Sequence, residues 1–365
     1  MLNSLALALA LSAGSALPAE PLPGFSKGIQ DGWPVGNEYD IGLDEEKVAT
    51  MAELGAEWVR VHFRLNVNNY SFNEKYLEAY DEAVKNVKDA GMEVLGLFTY
   101  ESHAGGQIAW TQNSAEVHGG SGDNHYIRQW SQEFGRLVAR YPEIKAWEVW
   151  NEPNCWTENE PGDIDNLPGQ YYAYPSNFAW ILRRAFEEAQ DTPHKPWIIA
   201  GGLLCGPFDE DDMEHNLGTR FLEETFETGN RLAGWDEIRD QYGQNPFDAW
   251  AWHPYVYGGE PMTEEEFGWW LDAFASRLHE LDPSQENAPI WLTEMGWQTL
   301  DEGLSPDEHA DQLETALRAI EADGRYGPVL YFKLTDEPLA NLLYGLIDAE
   351  GNRKPAFEAY KNFRF

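Results

Sequence analysis

Eight short apolar, β-branched or aromatic runs recur along the chain at intervals of roughly 30 to 55 residues, each followed by a stretch with helical periodicity. The runs are Gly28-Ile29-Gln30, Glu57 to Phe63, Glu93 to Thr99, Ala146 to Asn151, Trp197 to Gly202, Phe247 to His253, Pro289 to Glu294 and Pro328 to Leu334. Continuously apolar runs fit strands covered on both faces, as in a parallel sheet. Between them, Glu45 to Leu54, Glu74 to Ala90 and Ile127 to Arg140 place apolar residues three and four apart, the mark of a helix with one buried stripe. Ser305-Pro306-Asp307-Glu308 combines a capping box with Pro at the first helical position, before a helix running to about Ala322, and Thr263 to Glu266 carries the same box. Gly91 and Gly324 stand where helices should end. Eight such alternations without a Pro/Ser-rich linker predict an α/β fold, a single (β/α)8 barrel over residues 20–365, rather than two doubly wound domains. The longest connections, Cys155 to Ser176 and Leu203 to Asn245, follow the fourth and fifth strands. In such a barrel they lie over the active face.

Residues 1–19 are read separately. Leu2 to Ala16 is apolar and rich in Ala and Leu, with Gly14 and Ala16 at cleavage-like spacing, so it is expected to be a secretory signal. No Lys or Arg precedes the apolar run, which leaves the terminal amine as its positive charge. The mature chain is then expected to be extracellular, without a membrane-spanning segment, and monomeric. Cys155 and Cys205 are too few for a disulfide scaffold, and no Cys/His cluster has zinc-site spacing. Secretion would permit a disulfide between them, joining the two long loops.

Charge narrows the partners. With 25 Lys and Arg against 63 Asp and Glu, the formal net charge is −38, a field that repels nucleic acid and anionic membrane surfaces and disfavours acidic substrates. It suits a neutral ligand, or a protein that stays soluble in high salt. The densest acidic runs, Asp209-Glu210-Asp211-Asp212 and Glu264-Glu265-Glu266, read as solvated faces and helix starts.

Two segments carry candidate chemistry. In Trp147-Glu148-Val149-Trp150-Asn151-Glu152-Pro153-Asn154 an apolar strand ends in two polar side chains and is stopped by Pro. In Pro289-Ile290-Trp291-Leu292-Thr293-Glu294-Met295-Gly296-Trp297 a second Glu ends the seventh strand. A carboxylate at the end of a buried strand costs desolvation energy unless it is paired. A lone strand-end Glu is ordinarily a salt-bridged structural residue. Two of them across one barrel mouth are what glycoside cleavage uses: a proton donor and a nucleophile roughly 5 Å apart for retention.

With these motifs the chain resembles clan A of the glycoside hydrolases, whose catalytic residues lie on strands four and seven, and Asn-Glu-Pro-Asn is similar to the pattern in families 39 and 5. The resemblance runs strand by strand over essentially the whole mature chain. It implies Glu152 as acid/base, Glu294 as nucleophile and Asn151 as donor to a sugar 2-hydroxyl. Arg60, in Trp58-Val59-Arg60-Val61, matches an arginine contacting the nucleophile. His253 and Tyr255, ending the sixth strand, match residues that orient the nucleophile and the sugar. The resemblance also implies a neutral β-linked oligo- or polysaccharide as substrate. No metal or organic cofactor is expected. Aromatic faces pack against the C–H faces of sugars, and Trp150, Trp156 and Trp297 stand within a few residues of the two Glu. Most other Trp, such as Trp180, Trp250 and Trp270, read as core.

The chain departs from the pattern in two places. Where many relatives carry a Trp on the eighth strand it reads Tyr331-Phe332-Lys333-Leu334, and His62 stands where some have an acidic residue. A transglycosidase would share every catalytic residue. A non-catalytic carbohydrate-binding barrel would not need two opposed carboxylates beside Arg60. A metal-dependent barrel hydrolase would carry a His-x-His at the end of its first strand, whereas this chain has none there and its histidines are scattered.

Overall fold

The computed structural model describes residues 21–34, 40–64, 74–103, 123–154, 173–204, 218–255, 261–299 and 304–364. Eight parallel strands close into a barrel in chain order: β1 (Lys27–Gly32), β2 (Trp58–His62), β3 (Glu93–Phe98), β4 (Ala146–Val149), β5 (Trp197–Leu204), β6 (Ala249–His253), β7 (Ile290–Met295) and β8 (Tyr326–Phe332), with β8 pairing back onto β1. Each observed strand overlaps one of the eight runs singled out above. The expected (β/α)8 barrel is therefore the fold of the chain.

Nine α-helices surround the barrel among the described residues: α1 (Glu45–Glu53), α2 (Glu74–Asp89), α3 (His125–Arg140), α4 (Pro175–Gln190), α5 (Gly218–Arg231), α6 (Trp235–Tyr242), α7 (Glu264–Leu281), α8 (Pro306–Asp323) and α9 (Pro355–Asn362). Their ends follow the sequence signals. Thr263 and Ser305 each accept from the backbone N–H three residues on, and Glu266 and Glu308 reach back to complete both capping boxes. Gly91 and Gly324 adopt φ of 82° and 75°, the left-handed conformation that ends a helix without steric cost to glycine. On α3 the stripe Tyr126, Ile127, Trp130, Phe134, Leu137 and Val138 is buried against the sheet. Each such side chain contributes about 1.5–3 kcal/mol of hydrophobic stabilisation.

Strand alternation sorts side chains between two cores. Val59, Val61, Trp147, Val149, Ile198, Ala200, Trp250, Trp252, Leu292 and Val329 join the large core between barrel and helices. Their neighbours of opposite parity, Trp58, Leu95, Ala146, Ile199, Ala249, Ala251, Trp291 and Leu330, form a separate apolar cluster inside the barrel. There Trp58 and Trp291 meet edge to face at 5.0 Å between centroids. At the same end Lys27 Nζ donates to Leu54 O at 2.7 Å and Tyr360 O at 2.8 Å, tying the end of α1 to α9.

Local irregularities prepare the opposite end. The β5–β6 register shifts between Ala200 and Leu203, at Gly201-Gly202. The connection after β8 is pinned by short bridges, Thr335 with Ile347 and Glu337 with Leu342. It is pinned as well by the buried pair Lys354–Asp336 at 2.7 Å, and Asp336 also accepts from Gly345 N at 2.7 Å. Among the described residues no helix is long and apolar enough to cross a membrane.

Candidate active site

The carboxyl ends of β2, β4, β6 and β7 converge on a buried polar cluster. Arg60, the inward-facing residue above Trp58 on β2, is fully buried and holds three partners. Its Nε donates to Glu148 Oε2, its Nη1 to Glu294 Oε1, and its Nη2 to Asn151 Oδ1 at 2.7 Å. Burial by itself would lower the guanidinium's proton affinity; Glu148 and Glu294 more than offset that and hold it charged.

Glu148 sits on β4 where the sequence reads as continuous strand core. Its Oε1 accepts from Gly202 N and from Thr293 Oγ1, both at 2.9 Å. The bulge at Gly201-Gly202 turns that amide inward, and side chains are excluded there. A Cβ at Gly202 would lie 2.1 Å from His253 Nε2, and one at Gly201 would lie 2.5 Å from the carbonyl oxygens of Val149 and Trp150. Two glycines inside a strand mark this close approach. They were the available signal for the role of Glu148, which sequence reasoning missed along with that of Thr293.

The backbone beyond β4 is bent. Trp150 and Glu152 have φ of 74° and 44°, unfavourable for residues with a Cβ and costing on the order of 1–3 kcal/mol each. The turn is fixed by Trp150 N donating to Phe98 O at 2.8 Å and Glu152 N to Gly202 O at 3.0 Å. It carries the Glu152 side chain over the mouth, where 12 % of it is exposed. Its Oε1 lies 2.9 Å from His253 Nδ1. Burial pushes the Glu152 carboxyl up to about 7, with Arg60 opposing and Glu148 adding to the rise. His253 is fully buried, and desolvation lowers it to about 4, so the ring is neutral across the physiological range.

Glu294, at the end of β7, has the contrasting environment. One oxygen is bound by Arg60 and the other accepts from Tyr255 Oη at 2.8 Å. Tyr255 is buried, and burial followed by the neighbouring Glu294 and Glu152 charges pushes its hydroxyl far above the usual phenol range, so it remains a neutral donor. Oxygens of Glu152 and Glu294 and a ring nitrogen of His253 all lie within 4.8 Å of one another. Three such ligand atoms could face a cation. Both oxygens of Glu294 are already engaged, however, and a cation would compete with the guanidinium beside it.

The structure thus brings Glu152, Glu294, Arg60, Asn151, His253 and Tyr255 together. It does not add Trp150 to the mouth: this ring is fully buried and packs against Tyr100 and Trp130, at 5.9 and 6.1 Å between centroids. Trp297 is also buried, at 4 % exposure, and presents no open face. Trp156, Cys155 and Cys205 lie outside the described residues. The aromatic wall comes instead from residues that sequence reasoning did not single out as ligands. Phe332 at the end of β8 packs against Tyr255 and Tyr344, and Trp33, just past β1, stacks on Phe332 at 6.1 Å. Lys333 Nζ sits 4.2 Å from the Trp33 ring centroid and pairs with Glu337. Tyr344 belongs to the pinned connection after β8; Tyr331 Oη holds its carbonyl at 2.9 Å. On the other flank, at the ends of β2 and β3, His62 Nε2 lies 3.0 Å from Thr99 Oγ1, and Arg64 pairs with Glu101. His62 is buried and its proton affinity falls well below the usual range, as its desolvation and the two nearby arginines dictate.

No protein-family model matches the chain, and no curated protein matches it in sequence. Solved structures share its fold. A family 39 glycoside hydrolase from the gut symbiont Bacteroides cellulosilyticus WH2 superposes with a TM-score of 0.56 at 14% identity over 92% of this chain. The chain spans 62% of that protein's length. A beta-glucosidase from Thermotoga maritima in complex with deoxynojirimycin gives 0.60 at 14% identity, over 93% of this chain and 97% of the other. A family 5 glycoside hydrolase from Streptomyces cattleya in complex with Manβ1-4GlcNAc gives 0.60 at 16% identity, over 92% and 79%. At such identities the likeness is one of fold.

Proposed function

We propose that the chain is a retaining glycoside hydrolase that cleaves a neutral β-linked oligo- or polysaccharide, with Glu152 as acid/base and Glu294 as nucleophile. The observation that carries this reading is the pairing of two carboxylates in opposite environments with oxygens within 4.8 Å of each other. That proximity suits the retaining geometry, in which the carboxyl groups stand about 5–5.5 Å apart, too close for an intervening water. The three solved structures described above, all glycosidases by name, support the class.

The roles follow from the environments. Glu152, held near 7, still carries its proton in about half of the molecules at neutral pH and can give it to the departing glycosidic oxygen. Glu294, its two oxygens held by Arg60 and Tyr255, is the group that attacks the anomeric carbon. Asn151, whose Oδ1 is fixed by Arg60, has its amide nitrogen as donor to the sugar 2-hydroxyl. Once the glycosyl–enzyme ester forms, the charge on Glu294 is gone, and Glu152, now a carboxylate, takes a proton from the attacking water. Trp33, Phe332 and Tyr344 supply aromatic surface where many clan members have a strand-eight Trp. Secretion of the mature enzyme, resting on the apolar leader, belongs to the same reading.

Azide rescue tests the assignment. With an activated aryl β-glycoside, Glu294→Ala should lose turnover and yield the inverted α-glycosyl azide when azide is added. Glu152→Ala should retain activity on the activated substrate and yield the β-azide. The opposite products would exchange the roles, and near-normal rates of both variants on a natural β-glycan would refute the hydrolase.

A further inference from the structure

A proton inventory at the centre of the site has a single solution. Glu148 is an ion-pair partner of Arg60 and has no proton to offer, so Thr293 Oγ1, 2.9 Å away, donates its one hydrogen to it. Having spent that hydrogen, Thr293 can only accept from His253 Nε2, also at 2.9 Å. His253 must then carry its hydrogen on Nε2, and as a neutral ring it presents a bare lone pair at Nδ1. The atom facing that lone pair at 2.9 Å is Glu152 Oε1. A carboxylate there would set lone pair against lone pair; a carboxylic acid makes a good hydrogen bond.

We propose that Thr293 and Glu148 are positioning residues for proton transfer: they lock His253 as the Nε2–H tautomer, so that Nδ1 is an acceptor that keeps the proton on Glu152. The inference rests on the acid/base reading of Glu152 and deepens it. In the first half-reaction the O–H bond of Glu152 breaks as its proton passes to the leaving oxygen. The bare Nδ1 then favours return of a proton to Glu152, which arrives from the water whose oxygen bonds to the anomeric carbon. The charged and titratable groups facing His253 are Arg60 from β2, Glu148 and Glu152 from β4 and its continuation, Glu294 from β7 and Tyr255 beyond β6. Only the Glu148–Thr293 branch fixes the tautomer. The glycines of β5 leave room for it, since a Cβ at Gly202 would occupy the position of the ring.

Thr293→Val keeps shape and removes the acceptor, freeing His253 to move its hydrogen to Nδ1 and donate to a Glu152 carboxylate. The basic limb of kcat/KM should then move down by about one pH unit. Turnover of glycosides with poor leaving groups should fall on the order of tenfold at neutral pH, with Thr293→Ser restoring both. On an activated aryl glycoside, Thr293→Val should add nothing to Glu152→Ala, which has no proton to hold. An unmoved basic limb, or an additive double variant, overturns the relay. Nitrogen-15 shifts of His253 in the resting wild-type protein decide it without turnover: protonated Nε2 and accepting Nδ1 support it, and the reverse tautomer overturns it. Those shifts separate failure of the relay from failure of the glycosidase reading, which the leaving-group dependence of Glu152→Ala tests by itself.

Discussion

The two ends of the barrel interior are built on the same alternation and filled with opposite chemistry. At the amino ends of the strands the inward positions are Trp58, Ala146, Ala251 and Trp291, part of a closed apolar cluster. Two residues further along β2, β4, β6 and β7 the same column reads Arg60, Glu148, His253 and Thr293, all fully buried and all hydrogen-bonded to one another or to Glu152 and Glu294. One end gains stability from area removed from water. The other buries charge, which costs more than it returns unless every partner is in place. It also carries the positive φ angles of Trp150 and Glu152 and the β5–β6 register shift. The difference teaches where this fold spends its stability: on the end where a substrate can reach.

If that contrast is right, the largest effect comes from removing the cation on which the upper end depends. Arg60→Met strands two carboxylates and unties Asn151, so chemical unfolding should show a loss of about 3–5 kcal/mol. The kcat/KM of the folded fraction should drop on the order of 10³-fold. A stable Arg60→Met protein with normal rates would mean that the carboxylates are already solvated and the contrast is illusory.

The lower end should answer differently. Leu330 is fully buried and belongs to the apolar cluster. Leu330→Ala should cost about 3 kcal/mol through lost transfer energy and the cavity left behind. Sites this independent behave additively, so activity per folded molecule should stay within about twofold. Urea titration alongside active-site titration separates the two readouts. A large loss of turnover at full occupancy of the folded state would show that the lower layer sets the geometry of the upper one.

How much of this was legible follows the same division. The strands of β4 and β7 were readable because burial on both faces makes them mostly apolar, and Glu152 and Glu294 stood out as polar residues at their ends. Glu148 and Thr293 were hidden because inside a strand a polar residue carries no sign of whether its partners wait within the barrel. Trp150 was misjudged as a ligand because nearness in sequence says nothing of direction: its φ of 74° turns the ring into the helix layer. Trp33, Phe332 and Tyr344 meet only because β8 closes onto β1 and its connection folds back. That closure is a tertiary fact.

The smallest expected effect is the one that links the site's chemistry to its stability. Glu152 has a carboxyl raised from an ordinary 4.5 to about 7 by burial. The folded state therefore binds its proton more tightly than the unfolded chain does. That contribution is fully present below about pH 4.5 and is lost as pH rises through 7, where the buried group must ionise. Glu152→Gln has the same shape and an N–H that can face His253 Nδ1, but no proton to lose. Its stability relative to wild type should therefore increase between pH 5 and pH 8.5, on the order of 2 kcal/mol, and level off beyond. The other titrating groups are common to both proteins and cancel in the difference, so paired urea unfolding at these two pH values is sufficient. A flat difference would show that Glu152 ionises as easily in the folded protein as in the unfolded chain. The acid half of the site would then be no more costly than the apolar layer beneath it.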